Sequence, residues 1–174
     1  MIKISKEAIG KIELHGKKTY PEECCGVMLG RSDGDRQTVY DIVEFDNNQD
    51  ENRRRRFFVT PKQYLQAERL ASENSLELLG FYHSHPDHPA IPSEYDRDHA
   101  LPWFTYVIVS IMNREAKGIA AWLLSEDRSH FNEREMLVHD SGKMSLERTL
   151  TLATEQQDNF NKYKEIGASS KVGD

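Results

Sequence analysis

The sequence predicts an α/β fold, a mixed β-sheet flanked by helices. Three observations carry that expectation. Short apolar runs bounded by glycine or turn residues recur along the chain, and helically spaced segments separate several of them. Some neighbouring runs are joined by hairpin-length turns, while others need a crossover. At 174 residues there is material for one domain with a real core.

Taken in order, Ser5 is placed to cap a helix over residues 6–20, with Ala8, Ile9 and Ile12 on one side. Residues 26–30 are an apolar run between two glycines and read as a buried strand, followed by a turn at Asp33, Gly34 and Asp35. Residues 38–45 alternate in the period of a strand. A charged loop, acidic then basic, occupies 46–56, and Phe57, Phe58 and Val59 are expected to return the chain to the sheet. Thr60 and Pro61 open a second helix to about Asn74, along which Tyr64, Ala67, Glu68 and Ala71 are helically spaced. Apolar strands follow at 76–82, 106–111 and 118–124, with a short helix over 93–100 and a turn at 113–117. These elements give a domain over residues 1–140. Residues 141–174 are expected to be a C-terminal extension, partly helical with Leu146, Leu150 and Ala153 on one face, before a polar, disordered end.

Lys and Arg number 23 against 29 Asp and Glu, a formal charge of −6. With a pI near 5.7, that balance argues against nucleic acid or a membrane surface as the main partner. Hydrophobic residues make up 37% and mean hydropathy is −0.72, which implies a modest core with long solvated stretches. The longest apolar run, 106–112, is far short of the roughly 20 residues a membrane span needs. The N-terminus has no apolar signal core, and adjacent Cys24 and Cys25 cannot staple the fold, so a cytoplasmic, reducing setting is expected.

The informative segment runs from Gly80 to Asp96. His83 and His85 stand two apart at the end of an apolar run, so on a strand both imidazoles leave from one face. Pro86 ends the ladder there, while Pro89 and Pro92 stiffen the loop that leads to Asp96. Two histidines and one carboxylate hold zinc with a position left for water, the pattern of a catalytic rather than a structural site. Such a site needs a base for the water proton and a donor for the oxyanion. Spacing alone does not choose the base among 29 acidic residues.

His83-Ser84-His85-Pro86 followed by Ser93 and Asp96 resembles the signature of the JAMM, or MPN-plus, zinc metalloproteases. Pro21-Glu22-Glu23-Cys24-Cys25-Gly26 resembles the upstream segment that carries that family's glutamate. The resemblance covers about residues 1–140. It implies a cytidine-deaminase-like three-layer sandwich and a zinc ion on His83, His85 and Asp96. It also implies Glu23 as general acid/base and Ser93 as an oxyanion stabiliser. The short chain is most similar to the prokaryotic, stand-alone members. That branch implies hydrolysis of the amide bond after the C-terminal glycine of a small ubiquitin-like or sulfur-carrier protein, in cysteine or thiocofactor synthesis. A non-catalytic MPN scaffold and a RadC-like, DNA-associated protein are the alternatives. A homodimer is compatible with the sequence.

Ser93 also suits the cap of a helix with Asp96 at its third position, which would orient Asp96 toward the metal. His88 and His99 are not expected as fourth ligands, since one would displace the reactive water. Asp87 and His88 are candidates for substrate contact, and Cys25 is expected to pack beneath the site. His15, His130 and His139 read as ordinary core or surface histidines. Arg53, Arg54, Arg55 and Arg56 read as a solvated loop, or else as a landing patch for an acidic partner.

Overall fold

The computed structural model describes residues 1–140. In chain order the elements are β1 (Ile2–Ser5), α1 (Lys6–Thr19), β2 (Cys25–Asp33), β3 (Arg36–Phe45), α2 (Pro61–Glu73) and β4 (Glu77–Pro86). They continue with α3 (Glu94–His99), β5 (Thr105–Met112), β6 (Glu115–Leu124), β7 (Phe131–Arg134) and β8 (Met136–His139). The strands form one mixed sheet in the order β7-β6-β5-β4-β2-β3-β1-β8. β4 lies inside it, antiparallel to β2 and parallel to β5.

The sheet is covered on both faces, the three layers expected. On one face Ala8 and Ile12 of α1 pack with Ile2, Met28, Leu79, Tyr82, Val107 and Val109. On the other, Ala67 and Ala71 of α2 pack with Val27, Leu29, Leu78, Phe81 and Tyr106. The helix starts follow the expected chemistry. Ser5 Oγ accepts from Ala8 N–H at 3.0 Å, and Thr60 and Gln63 close a capping box with Pro61 in the first turn.

Three details place the site. Between Leu78 and Phe81 the pairing of β4 with β2 shifts at a bulge beside Gly80, so residues three apart reach the same face. Beyond that shift Phe81, His83 and His85 follow one another on the α2 side by strand period. Gly26 sits opposite Tyr82, where a Cβ would lie 2.2 Å from the Val43 carbonyl oxygen and 2.5 Å from the tyrosine ring. Only glycine leaves room for that ring to pass and its hydroxyl to reach His15 Nδ1 at 2.9 Å.

Several expectations change. Phe57, Phe58 and Val59 are not in the sheet; they form an irregular segment from which the Phe57 ring stacks on His83 of β4. β1, β7 and β8 were not expected, and β4 runs on through the histidines to Pro86 rather than stopping at Tyr82. The turn between β5 and β6 tightens to Asn113 and Arg114. The extension at 141–174, with its helical face of Leu146, Leu150 and Ala153, lies outside the described residues.

Candidate metal centre

His83 and His85 leave the same face of β4, as their spacing requires. His83 is buried and faces Cys25 across the β2–β4 ladder, and the Phe57 ring stacks on it at 4.6 Å between centroids. His85 Nδ1 donates to the Pro89 carbonyl at 2.9 Å, which fixes the tautomer and leaves the Nε2 lone pair free. The loop supplying that carbonyl is pinned by Ser110 Oγ donating to His88 O (2.6 Å) and Trp122 Nε1 donating to Ala90 O (3.0 Å).

Asp96 arrives on α3. Ser93 caps that helix and accepts from Asp96 N–H at 3.1 Å, while Asp96 Oδ2 accepts from both the N–H and the hydroxyl of Ser93 at 2.7 Å. The box engages Oδ2, the oxygen on the His85 side, and leaves Oδ1 facing His83. Burial opposes ionisation of Asp96, but His83, His85 and Ser93 together outweigh it and hold the carboxyl far below the ordinary carboxylate range. Burial pushes His83 down, toward the neutral ring.

The three donor groups meet. His83 Nε2 lies 3.1 Å from His85 Nε2 and 3.3 Å from Asp96 Oδ1, and His85 Nε2 lies 3.3 Å from Asp96 Oδ2. Ligands 2.0–2.1 Å from a tetrahedral ion stand about 3.3 Å apart, so the triangle has the dimensions of one face of such a site. Two imidazole lone pairs and a carboxylate facing one another at this range repel unless a cation or proton sits between them. Among the described residues this is the one cluster of histidine, cysteine and acidic groups close enough to hold a metal ion. His88 and His99 are outside it; His99 instead bonds the Tyr95 carbonyl at 2.9 Å.

Glu23 also stands outside the triangle but lines the same cleft as His85 and Ser93. It is 4% exposed and its Oε2 has no partner, while burial, followed by the charge of Asp96, pushes its carboxyl up to about 9. Glu22, by contrast, is half exposed and pairs with Arg53 at 3.5 Å. The neighbouring backbone holds Glu23 in place. Its N–H donates to Arg53 O at 2.8 Å, and Cys24 N–H donates to Ser84 Oγ at 2.8 Å, tying the start of β2 to the residue between the two histidines.

Ser84 and Phe57 are the site residues that sequence reasoning missed. The serine between the two histidines was the available signal for the first, and nothing local pointed to the second. Cys25 packs beneath His83 as expected. Asp87 is committed to the fold: it accepts from Tyr20 Oη at 2.8 Å and from Asn113 N–H at 3.0 Å. His15 is a buried, hydrogen-bonded core histidine.

Comparison with known proteins bears on the family and the fold. The family of prokaryotic homologs of the JAB domain matches residues 5–125. The chain belongs to that family. The JAB-domain chain is 32% identical over 91 residues to a desampylase from Haloferax volcanii, covering 52% of this chain and 63% of the relative. The match thus spans less than two thirds of that protein's length. Among solved structures, a protein from Desulfitobacterium hafniense superposes with a TM-score of 0.73 at 27% identity, covering 82% of this chain and 96% of its own. A protein from Salinibacter ruber gives 0.63 at 38% identity, with coverage of 80% and 93%. The expected family and fold class hold. Among the described residues no helix is long and apolar enough to cross a membrane.

Proposed function

We propose that this JAB-domain chain is a zinc-dependent peptidase or isopeptidase that hydrolyses the amide bond after the C-terminal glycine of a ubiquitin-like or sulfur-carrier protein. The observation that carries the reading is the donor triangle of His83, His85 and Asp96 beside a buried, unpartnered carboxylate. When bound, the ion would lower the pKa of water toward neutrality and polarise the scissile carbonyl. The remaining work falls to side chains. Glu23 takes the water proton at its open Oε2 and returns it to the leaving nitrogen, its ionised form being favoured once a cation is held beside it. Ser93 orients Asp96 through the capping box, and turning its hydroxyl away from Oδ2 would bring a donor to the oxyanion.

A protein substrate is supported by an apolar groove of about 550 Å³ whose lining includes Asp96. Phe57, Phe58, Tyr64, Leu65, Tyr95 and Leu101 are among its walls. Phe58, Leu65 and Leu101 are each about half exposed, an apolar surface suited to a folded partner. The partial likeness to a desampylase supports the ubiquitin-like class of substrate. The two buried, unpaired thiols suit the cytoplasm. A scaffold would have no use for a complete donor triangle.

The test is cleavage of a carrier protein fused through Gly-Gly to a short extension, with zinc and with a chelator. Release that depends on zinc and falls at least 10²-fold in Glu23→Gln is expected. Undiminished cleavage in the chelator, or in Glu23→Gln, refutes the assignment.

A further inference from the structure

Glu23 stands just outside the sheet. The ladders of β2 start at Cys25, which lies opposite Phe45, and the same register carried two residues outward sets Glu23 opposite Asn47. The backbone of Glu23 is held there by other means than strand pairing. Its N–H donates to Arg53 O at 2.8 Å, and its carbonyl accepts from Asn47 Nδ2 at 3.2 Å. Both peptide groups of the candidate base thus end on the loop at 46–58, where a side-chain amide takes the place of the missing ladder bond.

Asn47 is the clasp of that loop. Nδ2 also donates to Arg56 O at 2.9 Å, while Oδ1 accepts from Gln49 N–H at 3.0 Å and from Phe58 N–H at 3.2 Å. A primary amide has two hydrogens to give and two lone pairs to receive with, and here all are used. The surroundings also fix which end is nitrogen, because turning the amide over would set its hydrogens against two N–H groups. The neighbouring backbone ties the clasp to firmer ground. Asp46 O accepts at 3.0 Å from Nε2 of Gln63, the residue that closes the cap of α2, and Asn47 O accepts from Arg53 Nη2 at 2.8 Å. Phe58 follows Phe57, whose ring stacks on His83. One half-buried side chain therefore joins the start of α2, the candidate base and the ring over a candidate ligand.

We propose that Asn47 is the positioning residue for Glu23, fixing the backbone from which its carboxylate is aimed at the reacting water. The inference rests on the amide-hydrolysis reading, in which Glu23 moves the proton. Asn47 lines neither the cleft nor the apolar groove, so it acts through Glu23 and not on the substrate. A glutamate side chain has several rotatable bonds, and packing holds its tip in place only while its Cα stays put. A reacting group misplaced by about 1 Å can cost about 10²-fold in rate. The donor half of the amide carries this role. Asn47→Asp keeps both acceptor bonds but sets an oxygen against the carbonyls of Glu23 and Arg56, whereas Asn47→Ala loses every bond of the clasp.

Two measurements on zinc-loaded protein test it: cleavage of a ubiquitin-like carrier fused through Gly-Gly to a short extension, and amide hydrogen exchange followed by NMR. Asn47→Ala should lower kcat at least tenfold, with KM within twofold and zinc content unchanged. Asn48→Ala, in the same loop but bonded through its side chain only to Asp46 O, should stay within twofold of the parent. The Glu23 amide should exchange at least tenfold faster in both Asn47→Ala and Asn47→Asp, while the amides of Val27 and Met28 in β2 keep their rates. The Phe58 amide should speed up in Asn47→Ala alone. A kcat that falls less than tenfold, or a Glu23 amide that exchanges no faster, overturns the proposal. So does a fall in kcat matched by lost zinc or by a proportional rise in KM, which would assign Asn47 to the metal site or to substrate binding. If Asn47→Ala does not fold, Asn47→Asp carries the same expectations for kcat and for Glu23; failure of both to fold makes Asn47 a residue of the fold itself and overturns the proposal. If the unsubstituted protein cleaves nothing, the hydrolysis reading falls instead, and faster exchange at Glu23 still shows the hold of Asn47 on that residue.

Discussion

Replacing the ionisable carboxyl of Glu23 has a stability consequence that can be worked out for the metal-free protein. Burial, with Asp96 second, raises its carboxyl from 4.5 to about 9. An acid whose pKa is higher folded than unfolded costs nothing below the unfolded value. Stability is then lost as pH climbs toward the folded value, because only the unfolded chain can release the proton freely. Each pH unit in that window is worth about 1.36 kcal/mol, so from pH 5.5 to 7.5 the cost grows by about 2.7 kcal/mol. Glu23→Gln has no proton to lose. His83 and Asp96 titrate in both proteins and largely cancel in the difference. The stability of Glu23→Gln minus that of the parent should therefore rise by about 2.7 kcal/mol over this range. That corresponds to roughly 5–10 °C in melting temperature for a chain of this size. Urea or thermal unfolding followed by circular dichroism, with a chelator present, measures it. A difference that stays flat with pH would refute the buried, unpartnered state of this carboxyl.

Zinc at a hundredfold its Kd should stabilise the protein by about 2.7 kcal/mol, and His83→Ala should abolish both that shift and the bound metal counted by elemental analysis. Gly26→Ala should cost at least about 2 kcal/mol in urea unfolding, since its methyl would lie 2.2 Å from the Val43 oxygen. A neutral result would mean that β3 and Tyr82 yield easily. Cys24 and Cys25 are buried, and burial raises both thiols, Cys24 to about 12. Neither should react with a thiol reagent at pH 8 until the protein is denatured, which mass spectrometry of the alkylated protein would check.

The parts of the fold legible in the sequence are those where a local pattern coincides with its tertiary use. The caps at Ser5, Thr60 and Ser93 work because a short oxygen-bearing side chain satisfies a helix end wherever that helix goes. The His83–His85 pairing was legible because strand period alone places both on one face. β1, β7 and β8 are each four residues long, too short for periodicity to stand out. The run at 57–59 has the composition of a strand, but its partners are His83 and the apolar groove, which only the assembled fold brings near. Glu23 was separated from Glu22 by resemblance. The physical distinction is burial, which a sequence of two adjacent glutamates does not display.

The capping box at Ser93 and Asp96 links two equilibria. α3 has only six residues, and the carboxylate that closes its first turn also faces the two imidazoles. Whatever loosens that turn must weaken the hold on a cation by the same free energy, and capture of a cation must firm the turn in return. Helix stability and ion affinity therefore cannot be tuned separately by substitution at these two positions.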